Sequence, residues 1–254
     1  MKGGKRMEIN TVLFDLDGTL LPMDQDMFIK SYFGRLAKKL APHGYEAKTL
    51  MQAIYAGMEA MLKNDGSRTN EEAFWAVFCE AFGEEARRDL PLFDDFYRNE
   101  FQAVRESCGF TPEAAQLVHL LREKGLRVVL ATNPLFPAVA THSRIRWAGM
   151  EPEEFDYITT YENSTCSKPN PQYYAEIVKK LDLDPAQCLM VGNDVQEDMI
   201  AASLGMRVFL LTPCLINRND ADLSAYPQGG FDALRAYLDT IGEIWIKRER
   251  QANA

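Results

Sequence analysis

Two acids two residues apart, Asp15 and Asp17, close the stretch Thr11-Val12-Leu13-Phe14-Asp15-Leu16-Asp17-Gly18-Thr19. In an extended chain, side chains at i and i+2 point the same way, so both carboxylates project from one side of the segment's end. Two such charges repel by about 4 kcal/mol at roughly 4 Å in an effective dielectric near 20. A hard cation with oxygen ligands relieves that repulsion and gives it a use. Three further polar clusters share this setting at element ends. They are Thr132-Asn133-Pro134, Ser167-Lys168-Pro169-Asn170-Pro171, and Gly192-Asn193-Asp194-Val195-Gln196-Glu197-Asp198.

The elements that must position these residues follow from the hydrophobic pattern. The run before Asp15 is apolar or β-branched without alternation, which predicts a strand buried on both faces. In open parallel α/β sheets, ligands bind at the carboxyl ends of such strands. From about residue 25 to 108 the texture is helical, with almost no strand signal. Ile29, Phe33, Leu36 and Leu40 form one stripe; Leu50, Ile54, Met58, Met61 and Leu62 form another. Asn70 is the expected N-cap of a third helix, and a fourth runs through residues 84–105, interrupted by Pro91. From Gly109 onward strands and helices alternate. Thr111-Pro112 opens a helix with Pro at its first position. Strands are expected at 126–132, 155–160, 188–191 and 207–211, and helices at 137–147, 170–181, 196–204 and 231–247. Residues 213–230 read as irregular. Such alternation predicts a parallel sheet covered on both faces, which brings all four polar clusters towards one edge.

The bulk properties are those of an ordinary globular chain: 254 residues, 46% hydrophobic, 26% charged, net charge -9. No Lys/Arg-rich block outside the short ends argues for nucleic-acid binding. No apolar run of about 18 residues suggests a membrane span, and no signal-peptide pattern opens the chain. The five cysteines form no C-x-x-C pair, which fits free thiols and a cytoplasmic location. His43, His119 and His142 lack metal-ligand spacing, and no Walker-type loop supports a nucleotide-driven enzyme.

Asp15-Leu16-Asp17-Gly18-Thr19, Thr132-Asn133, Lys168-Pro169 and Gly192-Asn193-Asp194 with Asp198 together resemble the haloacid dehalogenase (HAD) superfamily, in its phosphatase branch. The order and spacing are family-like, and the core resemblance covers residues 9–19 and about 109–211. It implies a Rossmann-like α/β core of residues 1–22 and 110–254, with strand order 3-2-1-4-5, and an inserted helical cap of residues 23–109. It also implies Mg²⁺-dependent hydrolysis of a small phosphorylated metabolite through an aspartyl phosphate. Asp15 would be the nucleophile and Asp17 the general acid and base. The Asp15 and Asp194 carboxylates and the Asp17 main-chain carbonyl would hold Mg²⁺. Thr132, Asn133, Lys168 and Gly18 would serve the phosphoryl group, and Asp198 would position Lys168 or a metal-bound water.

Rivals remain open at this stage. A sugar-phosphate mutase shares every core residue named, and a non-catalytic binding or regulatory protein can keep the fold. A dehalogenase needs neither Asp17 nor Asp194, and a phosphonate-cleaving enzyme needs a cap lysine that nothing here marks out. On the first cap helix Lys30, Tyr32, Arg35, Lys38 and Lys39 are the polar candidates for facing a substrate. Substrate identity and oligomeric state are not encoded in any motif.

Overall fold

The computed structural model describes residues 9–240. Its strands are β1 (Thr11–Phe14), β2 (Arg127–Leu130), β3 (Tyr157–Ile158), β4 (Cys188–Gly192), β5 (Arg207–Leu211) and β6 (Gln228–Gly229). They form one parallel sheet in the order β3-β2-β1-β4-β5-β6. The expected order is therefore present, with one more strand at the edge. β6 arises from the stretch read as irregular; two residues, one of them glycine, leave no periodic signal.

The α-helices are α1 (Gln25–Leu40), α2 (Ala47–Leu62), α3 (Asn70–Phe82), α4 (Leu90–Arg98), α5 (Pro112–Glu123), α6 (Ala138–Trp147) and α7 (Pro171–Leu181). Residues 231–240 form a further helix; the rest of the helix expected to reach residue 247 lies outside the described residues. Helices α1 to α4, with short 3-10 turns, make a block entered and left by adjacent strands of chain. Gly109 N donates to Pro22 O at 2.7 Å, and Met23 bridges Cys108.

Three local expectations need correcting. Thr69, not Asn70, caps α3: its hydroxyl accepts from Glu72 N while Glu72 accepts from Thr69 N, a reciprocal capping box. Asn70 is buried one residue inside and spends its side chain elsewhere. Pro91 does not interrupt a helix but starts α4, where its missing N–H costs nothing. Residues 199–204 form only 3-10 turns. Asp194 Oδ1 accepts from Gln196 N and Glu197 N, at 2.9 and 3.0 Å. Such side-chain bonds compete with the helical ladder.

The central strand is buried throughout, and its alternation divides the core. Val12 and Phe14 join a large cluster with Leu117 of α5, Leu234, and the block's Phe28 and Phe96. Leu13 faces the other way, onto Tyr173, Tyr174 and Ile177 of α7. Both faces of the sheet are thus covered, and its carboxyl edge is left as the place for polar groups. No described helix is long and apolar enough to cross a membrane. All five cysteines are free thiols.

Candidate active site

Asp15 follows the end of β1 on a backbone fixed from both sides. Asp15 N donates to Val191 O at 2.9 Å, and Phe14 O accepts from Ala131 N at 2.7 Å. The chain then turns sharply, with Gly18 N donating to Leu21 O at 2.8 Å. Gly18 has a φ of 85°, a region that favours glycine, and a Cβ there would overlap the Asn193 amide. It is therefore Asn193 that demands this glycine, and Gly18 is not part of the cavity wall.

Asp15, Asp17, Thr132, Asn133, Asp194 and Asp198 line a single cavity of about 200 Å³. Lys168 reaches it from behind, through Asp15. Its Nζ donates to Asp15 Oδ1 at 2.9 Å and to Asp198 Oδ1 at 2.6 Å. The lysine head has no exposure. Asp198 Oδ2 accepts from Asp194 N at 2.9 Å, and a Cβ on Gly192 would overlap that carboxylate. Of the two roles expected for Asp198, the contact to Lys168 is present. Thr19 Oγ1 lies 3.1 Å from Asp15 Oδ2 and 2.9 Å from Asn193 Oδ1.

The second acid, Asp17, pairs with Arg144, which is wholly buried on α6. The guanidinium also stacks 4.3 Å from the centre of the Phe136 ring. Asp194 Oδ2 meets Arg218 at 2.5 Å, and Asn133 Nδ2 donates to Glu197 Oε2 at 3.0 Å. Asp17 Oδ1 and Asn133 Oδ1 are buried without a partner.

These placements bias the charges. Burial raises the Asp17 carboxyl above its ordinary range; Arg144 opposes the shift and Asp15 adds to it. Burial raises Asp198 to about 7 against the pull of Lys168, and raises Glu197 as well. For Lys168, burial alone would favour loss of the proton, but Asp15 and Asp198 outweigh it and hold the ammonium well above its usual value.

A family model for haloacid dehalogenase-like hydrolases matches residues 9–204. The chain belongs to that family. It is 23% identical over 239 residues to the ribulose-1,5-bisphosphate 5-phosphatase of Halopiger xanaduensis, covering 92% of this chain and 96% of that one. It is 24% identical over 203 residues to the phosphoglycolate phosphatase of Nitrosospira multiformis, covering 80% and 83%. These relatives put the hydrolase on the phosphatase side of its family. In fold it is similar to a 2-haloacid dehalogenase from Pseudomonas syringae pv. tomato DC3000, with TM-score 0.59, 20% identity, and coverage of 93% and 99%.

Reading the sequence missed four residues of this hydrolase's site: Thr19, Arg144, Glu197 and Arg218. Thr19 and Glu197 stood inside the quoted motifs and needed only a geometry to give them partners. Arg144 carries a faint signal, three residues before buried Trp147 and four after buried Ala140, on the inner stripe of α6. Arg218 has none; it arrives because the loop after β5 hydrogen-bonds beside Asp194, with Ile216 N donating to Asn193 O at 2.9 Å. Of the polar candidates on α1, only Tyr32 lines the cavity. Arg35 lies 3.6 Å from Glu106, and Lys39 pairs with Asp95 and Glu100 at 2.5 and 2.9 Å. Lys30 and Lys38 are exposed. His119 pairs with Glu154 on the surface.

Proposed function

We propose that this hydrolase releases inorganic phosphate from a small phosphomonoester through a phosphoaspartate on Asp15, with Mg²⁺ as its metal. The observation that carries this reading is the buried Lys168 ammonium shared between Asp15 and Asp198 at 2.9 and 2.6 Å. It orients Asp15 at the wall of a cavity that also holds Thr132 and Asn133. An Asp15 oxygen attacks phosphorus, forming an O–P bond as the bond to the leaving oxygen breaks. Asp17, whose burial favours its protonated form, gives that oxygen its proton. Asp17 then takes a proton from the water that cleaves the acyl phosphate, restoring Asp15 and freeing phosphate. The Thr132 hydroxyl and Asn133 amide bind the phosphoryl oxygens, and Lys168 balances their charge. Residues 23–109 act as a cap that covers the cavity and excludes water, over a core of residues 1–22 and 110–254.

The site suits a divalent cation by charge and by donor type. Asp15, Asp17, Asp194, Glu197 and Asp198, when ionised, pair among the described residues with Lys168, Arg144 and Arg218, leaving two negative charges in excess. All candidate ligands are oxygens, as Mg²⁺ prefers. The Asp15 and Asp194 carboxylates and the Asp17 main-chain carbonyl would hold it. When bound, it supplies charge neutralisation for the phosphate and the transition state.

The test is phosphate release from acetyl phosphate and p-nitrophenyl phosphate with and without MgCl₂. Turnover should need Mg²⁺, vanish in Asp15→Asn, and fall about 10²–10⁴-fold in Asp17→Asn. Undiminished turnover in Asp15→Asn, or an isomerised product in place of free phosphate, overturns the proposal.

A further inference from the structure

The two ends of the cavity differ in chemistry. Every charged wall residue comes from the core side, where Asp15, Asp17 and Asp194 stand. The opposite wall is largely apolar: Phe28, Ile29, Phe33 and Met58 from the helical block, with Leu135 and Phe136 beside them and Gln25 as an uncharged polar side chain among them. Tyr32 also lines it, but its hydroxyl is already engaged with the Tyr97 hydroxyl at 2.8 Å. The cations that α1 carries are turned away or paired with Glu106, Asp95 and Glu100. Arg218, the one cation among the described wall residues, is held by Asp194 at 2.5 Å and lies 3.8 Å from Glu197.

A leaving group must sit against that apolar wall. A second phosphate or a carboxylate would find no free cation among the described wall residues, and the hydroxyls of a sugar would find few partners. Apolar pockets exact about a hundredfold for one such misplaced hydroxyl. Size sets a further limit. The whole cavity is about 200 Å³, and a dry apolar cavity of roughly 150 Å³ is enough for a benzene ring. A phosphoryl group and one ring, or a short branched chain, fill the space.

We infer that the substrate is the phosphate monoester of a small apolar alcohol, aromatic or branched aliphatic, with no second charged group. The inference rests on the phosphatase reading above and selects within it. Benzyl phosphate and 3-methylbutyl phosphate are to be compared with glycerol 3-phosphate, glucose 6-phosphate and phosphoglycolate. All release primary alkoxides, so differences report the wall rather than leaving-group chemistry. Acetyl phosphate, whose leaving group is too small to touch the wall, reports the core alone. The expected result is a kcat/KM for benzyl phosphate at least about a hundredfold above those of the polar esters. Ile29→Arg, and independently Met58→Arg, should narrow the ratio of benzyl phosphate to phosphoglycolate by tenfold or more. If acetyl phosphate is hydrolysed and the polar esters equal or exceed the apolar ones, the inference is overturned while the phosphatase reading stands. If acetyl phosphate is inert, both fall together.

Discussion

Arg144 is costly to bury, and its placement shows what the cost achieves. The guanidinium lies on Phe136, pairs with Asp17, and leaves its own Nε unpartnered. Removing one member of a buried ion pair costs about 3–5 kcal/mol, so Arg144→Met should be measurably less stable. Its effect on pH dependence is more diagnostic. Arg144 holds the Asp17 proton less tightly than burial alone would. Without that charge the carboxyl moves further up, and the acid form survives to higher pH. The alkaline limb of kcat should therefore shift upward in Arg144→Met and stay near the parent's position in Arg144→Lys. A limb that is unmoved or lowered in the methionine variant would show that Arg144 does not govern Asp17. Sequence made Asp15, Asp17, Lys168 and Asp194 legible because their chemistry is tied to strand and helix ends. Arg144 was less legible because Arg146, two residues on, is an ordinary surface partner of Glu151, and only the fold separates the two.

At the scale of elements, the helical block is tied to the core beside Lys168. Asn70 Nδ2 donates to Ser167 Oγ at 3.0 Å and to Pro134 O at 3.2 Å, while its Oδ1 accepts from Asn64 at 2.8 Å. Ser167 Oγ in turn donates to Met61 O at 3.2 Å. The start of α3 is thus clamped to the residues that flank Asn133 and Lys168. Asn70→Ala strands several buried partners, and each buried polar group left unsatisfied costs about 1–3 kcal/mol. Urea unfolding should show a lower midpoint with an unchanged slope; a midpoint equal to the parent's would mean that water replaces the lost amide. This contact also explains a sequence-level error. Asn70 reads as a cap because asparagine prefers that position, but tertiary bonds claim its side chain and the preceding threonine caps instead. The strands were legible from their unbroken apolar runs, whereas β6 and the 3-10 turns at 199–204 depend on pairings made across the fold.

For the molecule as a whole, the excess of negative charge at the sheet's carboxyl edge has a thermodynamic consequence. Asp17, Glu197 and Asp198 all hold their protons more tightly folded than an exposed carboxyl does. The folded state therefore binds more protons than the unfolded one, and these three groups lower stability as pH rises through their folded values. A divalent ion held by Asp15 and Asp194, as proposed above, would act against the same excess at neutral pH. Bound only by the folded chain, it stabilises by about 2.7 kcal/mol at a hundredfold excess over its Kd, equivalent to a rise in Tm of roughly 5–10 °C. MgCl₂ should produce that rise in the parent protein without any substrate, and should not in Asp194→Asn. KCl at matched ionic strength separates binding from screening, since general screening acts on the whole surface and does not depend on Asp194. Equal shifts with KCl, or a full Mg²⁺ shift in Asp194→Asn, would place the ion elsewhere than between the tip of β1 and the end of β4.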